Sequence, residues 1–215
     1  MKKIYIPILL LVSQFYSYSQ LNSINKSNTA ELTIEVQEKG TIEDDIYKCN
    51  LFDWEIEIPS GFTIIPEEKI KQLEDKGFEA MQENATDGKN IKRETNNLIS
   101  FEKNKYNIFS VTYESLEGTK KLSLEEHKIF ISKLLEETYS GKGMKVDLVS
   151  SDLKLGKHNF YKIVIHLYHP KTNQLILTQE FYTTYINNHL FSANLNYMDE
   201  NLGYVMSYNF IKSFK

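Results

Sequence analysis

From Phe52 onward the chain alternates, with Phe52, Trp54, Ile56 and Ile58 separated by Asp53, Glu55 and Glu57. That period of two predicts a half-buried strand. Pro59-Ser60-Gly61-Phe62 supplies the turn that ends it. The period then lengthens. Pro66 opens a helix, Glu67 and Glu68 sit at its positive end, and Ile70, Leu73, Gly77, Phe78 and Met81 form its apolar side. Asn84–Asn97 is polar and reads as a surface loop. Leu98–Phe101 and Ile108–Tyr113 return to alternation, joined by a hairpin at Asn104–Asn107. Ser123 with Glu126 makes a capping box for the clearest helix, with Leu124, Ile131, Leu134, Leu135 and Thr138 on its inner side and Gly141 and Gly143 at its end. Residues 145–155 form a strand with a break at Ser150-Ser151. Three long strands follow, Phe160–Tyr168, Leu175–Ile186 and Leu190–Tyr197, the last two joined by Asn187-Asn188, residues that tolerate the left-handed conformation of a tight turn. Asp199 caps a final helix with Leu202, Val205, Met206, Phe210 and Phe214 on its apolar side.

The predicted order is β-α-β-β-α-β-β-β-β-α. Hairpin-joined strands are antiparallel, and amphipathic helices must bury their stripe against the sheet. Ile163, Ile165 and Leu167 occupy one side of their strand while Val164 and Tyr168 occupy the other, so both sheet faces need covering. The expected fold class is α+β, an antiparallel sheet with helices over both faces.

The N-terminus follows another logic. Met1-Lys2-Lys3, the apolar run Ile4–Val12 and the polar, small stretch Ser13–Gln20 are laid out as a secretory leader. The run is too short to span a bilayer as a helix. We expect cleavage between Ser19 and Gln20, and the leader is similar to those of exported proteins of the Bacteroidetes type. The expected organisation is residues 1–19 as signal peptide, 20–49 as a lead-in, partly disordered with one edge strand at Leu32–Val36, and 50–215 as the main domain. Cys49 is alone, which excludes an intramolecular disulfide and any thiolate cluster, and predicts that Cys49→Ser is nearly neutral.

The element order, with the Pro59–Phe62 turn and the capped helix at Ser123, resembles the PsbP-like family of α/β/α sandwiches over residues 50–215. The resemblance implies that sandwich and a role in binding other macromolecules. The family's known contexts are an extrinsic subunit of the photosynthetic water-oxidising complex, a nuclear-import factor that binds the Ran GTPase, and bacterial exported proteins.

Composition narrows the function. The 215 residues carry a net charge of −4, with 25 basic against 29 acidic residues, which leaves no basic field for a phosphate backbone. His166 and His169 are three apart on a strand, so their rings diverge and suit a sheet face and a turn better than a metal. His127, after Glu125 and Glu126, reads as part of a charged helix end. Ser150-Ser151-Asp152 reads as a strand irregularity, and Glu55 with Glu57 as the solvated side of an edge strand. No Gly-x-Ser-x-Gly elbow or Gly-rich phosphate loop occurs, so we assign no catalytic, cofactor or metal residues and expect no cofactor.

The reading that results is an exported, non-enzymatic binding or accessory protein of the cell envelope. Its partner would be a protein or another envelope component, contacted through Lys89, Lys92 and Arg93 on the polar loop. The alternatives are a small secreted hydrolase built from dispersed His and acidic residues such as His166 and Glu180, and a structural part of an envelope assembly. Mass spectrometry of the native protein should find an N-terminus at or near Gln20; intact Met1 on protein from the envelope fraction would overturn the leader.

Overall fold

The computed structural model describes residues 40–82, 95–118 and 121–214. The leader, the Leu32–Val36 strand and the loop residues Lys89, Lys92 and Arg93 lie outside them, as do the side chains of Gly77, Phe78 and Met81.

The described chain opens on a small antiparallel sheet of β1 (Thr41–Glu43), β2 (Ile46–Cys49) and β3 (Trp54–Glu57). Asp44 and Asp45 join β1 to β2 with φ of 51° and 59°. This hairpin forms because short Asp side chains tolerate the left-handed region that a two-residue turn requires. Tyr47 and Cys49 face inward at 3% and 2% exposure. Cys49 is therefore a packed core group, which corrects the expectation that serine replaces it freely: a buried hydroxyl is harder to satisfy than a thiol.

The main sheet comprises β4 (Thr63–Ile64), β5 (Asn96–Asn104), β6 (Asn107–Ser115), β7 (Lys145–Leu155), β8 (His158–Tyr168), β9 (Leu175–Ile186) and β10 (His189–Tyr197). Its order is β4-β5-β6-β10-β9-β8-β7, antiparallel throughout. The expected turn at Pro59–Phe62 forms, with Phe62 N donating to Pro59 O at 3.0 Å and Gly61 at φ 77°. Asn187 and Asn188 take φ of 48° and 61° in the β9–β10 turn. β7 is unbroken, its register running from Lys145 opposite Tyr168 to Leu155 opposite His158. The irregularity expected at Ser150-Ser151 is absent because β7 is an edge strand, where an exposed pair of serines disturbs the hydrophobic pattern without disturbing the ladder.

Helix α1 spans Glu67–Gln82, α2 Leu124–Gly141 and α3 Glu200–Lys212. β6 lies in mid-sheet and β7 at the far edge, so the connection between them must cross β10, β9 and β8. α2 makes that crossing and packs Ile131, Leu135 and Tyr139 on Ile163, Ile165, Leu167 and Phe181. The predicted capping box starts it, with Glu126 N donating to Ser123 Oγ at 3.1 Å and Ser123 N to Glu126 Oε2 at 2.8 Å. The other face is covered by α3 together with the three-stranded sheet, around Phe101, Phe109, Phe160, Phe191, Phe210 and Trp54. The fold is α+β with both faces covered, as the alternation required. The small sheet shares one face with a helix, which the pattern did not foretell.

Gly203 holds α3 close. A Cβ there would lie 2.5 Å from Tyr197 Cε2, so the Tyr197 ring lies directly on the helix backbone. Alanine is the better helix former by about 1 kcal/mol, yet overpacking costs about 1–3 kcal/mol. Gly203→Ala should therefore lower the urea midpoint; a raised midpoint would show that Tyr197 yields without cost.

Candidate functional site

The clearest polar centre on the α3 side is Glu180, in β9. Its Oε2 accepts from Tyr182 Oη at 2.6 Å, Ser207 Oγ at 2.6 Å and Lys162 Nζ at 2.9 Å, and its Oε1 from Tyr197 Oη at 3.0 Å. Burial alone pushes this carboxyl up, but the Ser207, Tyr182 and Lys162 donors outweigh it and hold the group below the ordinary carboxylate value. His166 lies on the same face, but its Nδ1 pairs with Thr178 Oγ1 at 3.1 Å. The sequence-based hydrolase candidates thus share one face, with both Glu180 oxygens and His166 Nδ1 engaged, and neither lines the cavities described below. His169 serves its turn, its Nδ1 accepting from Thr172 N at 3.2 Å and Lys171 N at 3.3 Å. Among the described residues no group of three or more His, Cys, Asp or Glu is placed to hold a metal ion.

The opposite face is polar and yet buried. β6 and β10 place Ser110, Thr112, Asn194 and Asn196 there, each at 2% exposure or less. A chain of side-chain bonds runs from Tyr139 Oη to Gln179, from Gln179 to Asn196 and from Asn196 to Asn194. His127, expected at a charged helix end, is 7% exposed on the inner side of α2 and bonds Tyr161 Oη through Nδ1 at 2.7 Å. The correction has a legible cause: His127 stands four residues before Ile131 and eight before Leu135, the period of the buried stripe. Beside it is a cavity of about 30 Å³ lined by Thr95, Thr112, His127, Tyr161, Thr183 and Ser192, room for about one water molecule.

A cleft of about 390 Å³ with aromatic side chains in its walls opens at one end of the molecule. One wall is the β2–β3 turn, contributing Lys48, Cys49, Asn50, Phe52, Asp53, Trp54 and Glu55; the other is the β7–β8 turn and the C-terminus, contributing Lys157, His158, Ser213 and Phe214. Asp53 takes φ 49°, and its backbone N bonds Asn50 O at 3.3 Å, turning the chain so that Phe52 and Trp54 both point inward. Trp54 Nε1 donates to Ser213 Oγ at 2.7 Å, which ties one wall to the other. Phe214 stacks on Trp54 at 6.2 Å and meets His158 edge-on at 6.1 Å. Burial and the neighbouring Lys157 both push His158 down, so its ring stays neutral near pH 7. Sequence reasoning missed this cleft. Its walls lie about a hundred residues apart, and the only local signal was two aromatics flanking an Asp.

The fold and this opening define an α+β sandwich with a lateral cleft at the end where the two sheets meet. No protein-family model and no curated protein matches the chain. Among solved structures it is similar to cyanobacterial PsbP (CyanoP) from Synechocystis sp. PCC 6803, at 11% identity and a TM-score of 0.48, covering 79% of this chain and 87% of that one. That protein is a PsbP, the family that the element order resembles. No helix among the described residues is long and apolar enough to cross a membrane.

Burial pushes His127 down to about 4, against 6.5 for an ordinary imidazole. The unfolded chain takes up this proton as pH falls through 6.5 while the folded chain refuses it until about 4, so stability is full above 6.5 and declines across that interval. The loss should reach about 2 kcal/mol by pH 5. The Glu180 contribution runs out lower, below the ordinary carboxylate range. Urea titrations at pH 7 and 5 should show the loss in the natural protein and a much smaller one in His127→Gln; equal slopes would assign the acid sensitivity elsewhere.

Proposed function

We propose that this is an exported, non-enzymatic accessory protein of the cell envelope that binds a ligand or a segment of a partner in the cleft between the β2–β3 turn and the β7–β8 turn. The observation that carries this reading is a contrast in hydrogen bonding. Glu180 and His127 are engaged by neighbouring side chains, and the buried Glu114 beside His127 has a partner of its own, while the cleft presents aromatic side chains with charged lips. Openings of about 300–1,000 Å³ are the usual size of binding sites, and the cleft at about 390 Å³ falls within that range. Export rests on the leader pattern of residues 1–19. A binding role also agrees with what the sequence resemblance implies.

The test is affinity capture from envelope extract by the mature protein and by Lys157→Glu, a substitution on the exposed lip. The natural protein should retain an envelope component that the variant loses at an unchanged melting temperature. Identical capture by both would remove the cleft from the function.

A further inference from the structure

The charges on the two lips of the cleft differ in whether they are already spent. Lys48 has Glu43 at 3.6 Å, and Glu55 is engaged by another group. Lys157 on one wall and Asp53 on the other carry no ion pair among the described residues, although both line the same opening. Between them lie Trp54, buried at 4% exposure, and the half-buried Phe214. His158 touches Phe214 through its ring and makes no hydrogen bond from its nitrogens among the described residues, which leaves a neutral N–H free to donate.

An occupant must satisfy both lips at once. A bare anion attracted by Lys157 meets the Asp53 carboxylate, and a bare cation attracted by Asp53 meets the Lys157 ammonium. A molecule carrying both charges suits both. The rings of Trp54 and Phe214 add a preference for a flat apolar body, which packs edge-on or offset against them. We infer that the cleft binds a zwitterionic aromatic ligand, an amino acid or dipeptide, with its carboxylate toward Lys157 and His158, its ammonium toward Asp53 and its ring against Trp54 and Phe214. The inference rests on the cleft being the binding site and specifies its ligand chemistry. The free amino acid and the dipeptide share that chemistry and differ in the span between their charges.

Trp54 is the chain's one tryptophan, so its fluorescence reports directly on the cleft. The mature protein is titrated with phenylalanine, with phenylalanyl-phenylalanine, and with the N-acetyl and C-amide forms of each. The expected result is a saturable change with one of the two free forms and about tenfold weaker binding when either of its ends is blocked. The better of the two identifies the source. Lys157→Ala should make the free and C-amide forms bind alike, and Asp53→Asn should do the same for the free and N-acetyl forms. Asn is chosen because it tolerates the positive φ at this position. Both residues are exposed, and unchanged melting curves would confirm that the variants fold. Equal binding of free and blocked forms, or no response to any probe at tens of millimolar, would overturn the inference. Silence toward every probe, with lip-dependent capture of an envelope component retained, would refute the ligand chemistry and leave the cleft as a binding site. Loss of both results would refute the two together.

Discussion

The C-terminal helix holds this molecule together, and Phe210 is the residue through which it does so. Its ring is fully buried among Tyr182 at 4.8 Å, Phe214 at 5.3 Å, Phe160 at 6.0 Å and Phe109 at 6.1 Å, and so touches strands from three parts of the main sheet. Burying such a ring is worth roughly 1.5–3 kcal/mol before any aromatic geometry is counted. Glu180 fixes the helix laterally, since Ser207 reaches it from α3 and Tyr197 reaches it from the strand leading into α3. Asn107 fixes the start of the helix, its Oδ1 accepting from Met198 N at 3.2 Å and Asp199 N at 3.3 Å. The small sheet packs against α3 and the main sheet together, with Phe52 and Trp54 both meeting Phe191 edge-on.

The two faces of the main sheet are held by different physics. The α3 face is a nearly continuous aromatic layer with one satisfied carboxylate at its margin. The α2 face divides: Ile163, Ile165 and Leu167 form an apolar floor under the helix on β8, whereas β6 and β10 offer hydroxyls and amides. A buried polar surface is tolerable only where its members find partners. Tyr139–Gln179–Asn196–Asn194 is such a set, as is Ser100 with Ser110 at 2.8 Å. The acid sensitivity of His127 follows from this placement, since an imidazole that must stay neutral to remain buried opposes folding once the pH invites a proton.

Which parts of this were legible in the sequence depends on whether the signal was local. The α2 capping box, the Asn187-Asn188 turn and the Pro59–Phe62 turn are each decided within four residues, and each appears where the pattern put it. The Asp44-Asp45 hairpin is also local, two consecutive positive φ angles making the turn, but the sequence reading placed no hairpin there. The polar face of β6 and β10 was not legible, for a different reason. Ser110, Thr112, Asn194 and Asn196 alternate with apolar residues, the pattern of a wet face, yet each is buried. Alternation reports a difference between two faces, not which of them is wet. The hydrogen bonds that make the polar face acceptable link β9, β10 and α2 over separations of up to 40 residues, beyond any window in which a period is measured.

The cleft follows from the same architecture. The small sheet is anchored under α3 by Trp54 and Ile56, and its β2–β3 turn is held on one side by the β9–β10 turn, where Asn187 Nδ2 donates to Leu51 O at 2.6 Å, and faces the cleft on the other. The β7–β8 turn forms part of the opposite wall, with Leu155 and His158 closing their strands opposite each other and only Gly156 and Lys157 between. The bond from Trp54 to Ser213 sets how far apart the two walls stand, and Phe214 forms part of the floor. A loop displays functional groups well only when rigid elements position it. Here both lips are two-residue or short turns at the ends of paired strands, so their charges are presented by the most constrained backbone the fold has to offer.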